Sequence, residues 1–268
     1  LNEKHLSIIS NDLPEKQSNN SNSNKNRNQS IIIPNKKEEE DKNTSLSEDC
    51  YNGTNIASAE LQKEIIAVNP NNILEPILVE RKRWFKKLTP VNILKWQKKE
   101  IFEPLLIMKD QGDIDSSLQM FRNLLSYMKD RKSSKASSMH VRKFIKLVLK
   151  GGDILRDEAF LQVYKQLNDN KNNESFMRGL KMMAIISSCF VPKNKDIYLL
   201  ILNYLFFKIN DYSTKDPNII NHLNFIFVRM IKTKGHERRF VPSDKELEHI
   251  ECLKSIVVTV HFFNEAKQ

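Results

Sequence analysis

Glycine, cysteine and long apolar runs are all scarce in this chain. Six glycines in 268 residues exclude a Gly-rich repeat and leave little for a dinucleotide-binding βαβ unit, whose phosphate turn needs several of them. The three cysteines, Cys50, Cys189 and Cys252, share no short spacing, so neither a zinc site nor a disulfide framework is indicated, and a reducing, cytoplasmic setting is expected. The longest near-continuous apolar run, Ile197 to Phe207, has 11 residues, against about 20 needed to cross a bilayer. Hydrophobic residues make up only 40%, below the roughly 45–50% of an ordinary globular chain, so part of the sequence is expected to stay outside a packed core. The chain opens on Leu1 and a polar leader without the apolar core of a signal peptide, and reads as a piece of a longer protein.

Catalytic constellations are missing as well. There is no GxGxxG, no Walker loop, no GxSxG and no HExxH. The histidines (His5, His140, His222, His236, His249 and His261) are scattered, with no two at metal-ligand spacing. Cys252 and His249 are three residues apart, close enough to meet on a helix, but nothing nearby in sequence would orient them. Asp157 and Glu158 are adjacent, so on a helix they point in different directions and suit the positive end of its dipole. No enzymatic activity, cofactor or metal is expected.

What is present begins with a change of character along the chain. Residues 1–55 hold 12 asparagines, interspersed serines and the acidic block Glu38-Glu39-Glu40-Asp41. Such a segment buries too little to offset its chain entropy and is expected to be disordered. Residues 56–88 are transitional. Ile56–Val68 and Ile73–Phe85 each fit a short amphipathic helix, with Asn69-Pro70-Asn71-Asn72 as the break between them. Residues 1–88 carry 13 basic and 13 acidic side chains, so the net charge of +10 belongs entirely to residues 89–268.

That remainder has helical periodicity and predicts an all-α fold, a compact multi-helix bundle. Leu118, Phe121, Leu125 and Met128 share one helix face, as do Val141, Phe144, Ile145 and Val148. Ser137 is the expected N-cap of the second helix, and Gly151-Gly152 its end. Phe160, Val163, Tyr164 and Leu167 mark a third helix starting near Asp153. Residues 175–190 and 196–209 are apolar nearly all round and belong inside the bundle. Asp216-Pro217 opens a helix bearing Ile220, Leu223, Phe227 and Met230. Ser243 with Glu246 forms a capping box for a last short helix through Ile250. Ile256 to Phe263 alternates like a strand.

Two basic clusters stand out. Lys129, Arg131, Lys132, Lys135, Arg142, Lys143, Lys146 and Lys150 share their stretch with a single acid, Asp130. Arg142, Lys146 and Lys150 recur every four residues and so line one strip opposite the apolar face. The second cluster is Arg229, Lys232, Lys234, Arg238 and Arg239, against Glu237 alone. Fields of this kind steer acidic partners; a plain solvated helix face is the alternative. No aromatic residues interleave with the charges, so stacking on single-stranded nucleic acid is not supported.

Residues 155–166, Leu-Arg-Asp-Glu-Ala-Phe-Leu-Gln-Val-Tyr-Lys-Gln, resemble the signature of the myosin tail homology 4 (MyTH4) domain. Four more segments agree in order. Trp96 with Ile101 and Pro104-Leu105-Leu106 is similar to the family's opening helix. Phe121 with residues 124–130 is similar to its Tyr-Met-Gly-Asp segment. Arg178-Gly179-Leu180-Lys181 followed by Cys189-Phe190-Val191-Pro192 is similar to its Arg-Gly-Trp helix. Residues 235–250, with Arg238-Arg239 and Pro242-Ser243, are similar to its closing motif. The resemblance covers roughly residues 91–252, and departs from the family at Lys129, where glycine is usual, and at Leu180, where tryptophan is usual.

The resemblance implies a non-catalytic helical domain at about 89–252, of the kind found in unconventional myosin tails, some kinesins and some Rho-GTPase-activating proteins. It implies microtubules (tubulin) or adaptor and cargo proteins as partners, and residues 253–268 as the link to a following FERM domain. Within it, Leu155, Arg156, Asp157, Glu158, Gln162, Gln166, Arg178, Gly179, Pro242 and Ser243 are read as structural. Arg156, Asp157 and Glu158 are expected to tie helices by ion pairs, Gly179 to permit close helix approach, and Pro242-Ser243 to start a helix. Charge alone nominates the partner-binding surface: Arg131, Lys132, Lys135, Arg142, Lys143, Lys146, Lys150, Lys232, Lys234, Arg238 and Arg239. Two other readings remain open: a domain that braces a neighbouring FERM or GTPase-activating domain, and a nucleic-acid or anionic-membrane binder using the same face. Neither nucleic acid nor membrane is the expected partner.

Overall fold

The computed structural model describes residues 53–83, 85–212 and 216–255, all within one compact unit. The leader up to residue 52 and the alternating segment from Ile256 lie outside the described residues. Among the described residues the fold is all-α: α1 (Ala59–Ile66), α2 (Pro70–Leu74), α3 (Pro90–Ile93), α4 (Gln111–Tyr127), α5 (Ser137–Lys150), α6 (Gly152–Leu167), α7 (Asn173–Ser187), α8 (Lys195–Tyr212), α9 (Pro217–Thr233) and α10 (Asp244–Glu251). One small hairpin, β1 (Lys82–Arg83) and β2 (Lys86–Lys87), interrupts them.

Helix starts follow the local chemistry of short polar side chains, which accept bonds from N–H groups that have no partner inside the first turn. Ser58, Asn69, Asp110, Asn172, Asp216 and Ser243 do this for α1, α2, α4, α7, α9 and α10. The capping box of Ser243 and Glu246 is present in both directions. α5 differs from expectation by one residue: Ala136 occupies the cap and Ser137 is the first helical residue. Gly152, at φ +70°, supplies the left-handed turn between α5 and α6 that a side chain would strain.

Three other segments depart from the sequence reading. Gly53–Ile56, at the end of the leader, forms a 3-10 turn against α9. Asn69-Pro70 starts α2 instead of only breaking the chain, because Asn69 caps and proline suits the first helical position. Residues 75–87 are not the second helix, because Pro76 cannot continue one. There Leu78 pairs with Leu106 as an isolated bridge, and the hairpin follows.

α6 is the centre of the bundle and packs against α4, α5, α7 and α8. From Leu155 to Leu167 every residue except Arg156 is buried. Phe160, Val163 and Leu167 lie in the core as expected. Gly179 of α7 sits against α6: a Cβ there would come within 2.8 Å of Leu167 Cδ2 and 3.1 Å of Met128 Cε, so the small residue sets the α6–α7 approach. α1 packs on α8, where Asn203 Nδ2 donates to Ile65 O at 2.8 Å.

Candidate functional site

The five polar residues of the buried α6 segment, none of which a 3.6-residue apolar period reveals, face inward and bind backbone. Glu158 accepts from Leu105 N (3.0 Å), Leu106 N (2.9 Å), Ser117 Oγ (2.7 Å) and Gln162 Nε2 (2.9 Å). Asp157 accepts from Lys193 N and Asn194 N at 2.7 and 3.1 Å, holding the turn that begins α8. Gln166 clamps Gln97 from both sides, accepting from its N–H and donating to its carbonyl. The expected ion pairs of Asp157 and Glu158 are therefore replaced by hydrogen bonds to main chain. Arg156 has an ion pair, to Asp153 in its own helix at 3.4 Å. Burying a carboxylate among N–H donors meets its need for partners without a second buried charge.

These bonds also explain a correction in the segment from Trp96 to Leu106, which is not helical. Its main chain is satisfied by α6 side chains, so it needs no internal ladder. Lys165, itself 2% exposed, completes the set: its Nζ donates to Ile93 O and Lys95 O at 2.6 Å each. Burial, and then the charge of Arg81, bring its pKa down to about 7. The neutral amine retains two N–H donors for the two carbonyls, and the extra proton of the ammonium is the one that burial penalises. The unfolded chain holds that proton up to about pH 10.5, so between pH 7 and 10 it binds more protons than the fold and stability rises with pH. Denaturant midpoints from pH 7 to 9 should therefore climb more steeply for the wild type than for Lys165→Met.

The remaining signature residues are also structural in their contacts. Arg178 donates to Tyr127 O and pairs with Glu174. Lys129, where glycine is usual, has φ 63°; its ammonium pairs with the same Glu174 at 2.8 Å. Leu180 is fully buried. His249 faces Ser255 O and Cys252 is exposed, and no hydrogen bond of the described residues joins the two.

The basic residues lie outside. α5 buries His140, Val141, Phe144, Ile145 and Val148 and exposes Arg142, Lys143, Lys146 and Lys150. The loop before it exposes Arg131, Lys132 and Lys135. Lys135 stands beside Lys143 and holds its pKa below the ordinary lysine value, the mark of like charges with no acid between them. Burial, then Lys143, Lys135 and Arg131, lower the pKa of His140, whose ring bonds Ser133 Oγ and Asn123 Oδ1. Arg131 is paired with Glu100 at 2.8 Å. Lys132, Lys135, Lys143, Lys146 and Lys150 have no ion pair among the described residues.

Tertiary contact joins part of the second cluster to the first. Arg142 donates to Pro242 O at 3.2 Å and lies 3.6 Å from Asp244, bringing the Arg238–Asp244 loop against α5. Arg239 is exposed there, while Arg238 is committed to Glu246 at 2.8 Å. Lys232 and Lys234 belong elsewhere: Lys234 stacks over the Tyr198 ring at 4.9 Å, and no hydrogen bond or ion pair of the described residues ties either to α5. Sequence reasoning overlooked two exposed apolar side chains in this field, Met139 on α5 and Phe240 beside Arg239. Their only signal was adjacency to the basic residues.

Residues 141–249 match the MyTH4 domain family. The chain is 26% identical over 185 residues to kinesin-like protein KIN-14I of Oryza sativa subsp. japonica, covering 67% of this chain and 14% of that one. It is 30% identical over 111 residues to unconventional myosin heavy chain 6 of Caenorhabditis elegans, covering 41% and 5%. The fold is similar to the MyTH4-FERM MF1 domain of Dictyostelium discoideum myosin VII, with a TM-score of 0.57 at 23% identity over 73% of this chain and 38% of that one. It is similar also to the C-terminal MyTH4-FERM domain of human myosin 7b in complex with harmonin-a PDZ3, with a TM-score of 0.53 at 20% identity over 69% and 36%. The chain thus spans a small part of these relatives' length.

Proposed function

The chain carries a MyTH4 domain, and from that premise we propose that it is a non-catalytic docking module of a cytoskeletal motor or scaffold whose α5 face meets the acidic surface of tubulin. The observation that carries this reading is the run of Lys132, Lys135, Lys143, Lys146 and Lys150, exposed and with no ion pair among the described residues. Each exposed charge contributes on the order of 1 kcal/mol or less and is screened by salt, so the contact gains from having several together. Kinesin and myosin relatives support the cytoskeletal setting, and a solved relative holding a PDZ domain supports adaptor proteins as a second class of partner.

Co-sedimentation of the full chain with microtubules over a salt series tests it. Binding should fall with salt, and Lys143→Glu/Lys146→Glu/Lys150→Glu should weaken it at least ten-fold at low salt. Arg142 is left intact because it also holds the Pro242 loop. No pelleting at low salt, or pelleting that the triple variant leaves unchanged, rejects the assignment.

A further inference from the structure

Beside Lys165 the fold leaves a cleft of about 460 Å³, with Arg81, Leu88, Ile93, Lys95 and Trp96 in its wall and no carboxylate among its lining residues. Small-molecule sites span roughly 300–1,000 Å³, so the cleft has room for more than a bare ion. Its lining is of two kinds. Arg81, Lys95 and Lys165 supply charge, while Leu88, Ile93 and the half-buried indole of Trp96 supply apolar surface.

The cations keep unused donors. Arg81 Nη2 is committed to Glu103 O and Pro104 O at 3.0 and 3.1 Å. Its Nε is buried and makes no hydrogen bond, although Glu103 Oε1 lies 3.2 Å away, and its Nη1 makes none among the described residues. Lys95 is exposed and approaches Asp169 only to 3.8 Å. Lys165 gives two N–H groups to Ile93 O and Lys95 O; the third exists only in the ammonium, and no third acceptor meets it among the described residues. Glu103 pairs with Arg81 and Asp169 with Lys95, yet the charge that acts on Lys165 is the positive one of Arg81. A buried amine beside a guanidinium lacks both an acceptor and a counter-charge, and an anion supplies both.

We propose that this cleft binds a small organic phosphate, its dianionic group meeting Arg81 and Lys165 and its organic body lying against Trp96 and Leu88. A phosphate suits the site better than a carboxylate because it carries two charges, and its free oxygens accept from a guanidinium and an ammonium arriving from different directions. Binding gives the third N–H of Lys165 its acceptor, so the anion enters together with a proton that Nζ takes from solvent. The site shares no residue with the α5 strip and does not depend on the tubulin reading.

Isothermal titration calorimetry of the full chain tests this with sulfate and phenyl phosphate as probes. Sulfate remains a dianion between pH 6 and pH 8, so a change in its affinity reports the protein. With Lys165 titrating at about 7, sulfate should bind about ten-fold more weakly at pH 8 than at pH 6. At pH 8, buffers of different ionisation enthalpy should reveal the uptake of about one proton per anion bound. Phenyl phosphate should bind about ten-fold more tightly than sulfate at pH 8, because its ring meets Trp96. Lys165→Met should remove the pH dependence and the proton uptake, Lys95→Gln should weaken binding while keeping both, and Lys143→Glu/Lys146→Glu/Lys150→Glu should change neither. Thermal melts establish that each variant is folded, and the wild-type proton uptake decides the matter should Lys165→Met fail to fold. Absence of binding at pH 6, affinity for sulfate that ignores pH, equal affinity for the two probes, or binding lost on reversing the α5 lysines would each overturn the proposal.

Discussion

Replacing Glu158 by alanine should destabilise the fold by roughly 3–5 kcal/mol, because two buried N–H donors lose their acceptor and each such loss costs about 1–3 kcal/mol. Those donors are Leu105 N and Leu106 N, and Ser117 Oγ and Gln162 Nε2 lose a partner at the same time. Water cannot easily replace the carboxylate, since Glu158, Leu105, Ser117 and Gln162 are all fully buried. Glu158→Gln should recover only part of the loss: an amide keeps one oxygen but turns its NH2 toward donors. Urea midpoints measured beside Asp153→Ala, whose carboxylate is 69% exposed, check this; the control should change by less than about 1 kcal/mol. Equal midpoints for the two variants would mean that Glu158 is not the bracket that its contacts describe.

Phe160→Ala should cost a comparable roughly 3–5 kcal/mol through a different mechanism, lost apolar burial together with the cavity left behind. The Phe160 ring is fully buried and meets Phe190 edge to face, with centroids 6.0 Å apart at 82°. The loop from Cys189 to Pro192 would lose this ring contact with α6, whereas Phe160→Leu, which keeps most of the volume, should cost about 1 kcal/mol. The combined Glu158→Ala/Phe160→Ala change is not expected to add simply. The two residues lie in one helix and share its placement, and neighbouring sites couple.

These two residues also divide what is legible. Phe160 is found from apolar spacing alone, as are the faces of α4, α5 and α9, because a helix that buries one side repeats its apolar residues every three to four positions. Glu158 is not found that way. In α6 the polar residues Asp157, Glu158, Gln162, Lys165 and Gln166 are as buried as the apolar ones, and spacing carries no information once every face is inside. The sequence marks them only through the family's motif, and motif membership does not say what a residue touches.

The failures share a cause. Trp96–Leu106 was expected to be helical and is irregular because its hydrogen-bond partners come from α6, some seventy residues away for Gln166 and Lys165. The 131–150 and 229–239 clusters look equivalent as counts of charge. Packing separates them: it commits Arg238 to Glu246, lays Lys234 on Tyr198, and brings Arg142 to the Pro242 loop.

By itself the sequence determined the all-α class, the helix starts set by Asp216-Pro217 and Ser243–Glu246, and the location of the net positive charge in residues 89–268. Those properties depend on residues within a turn or two of each other, where side-chain reach and helical period suffice. Tertiary structure alone decided which polar groups of α6 turn inward, which cations of α5 have no ion pair among the described residues, and that Phe85 stands in solvent. Each depends on what lies opposite a side chain, and that is a property of the packed molecule.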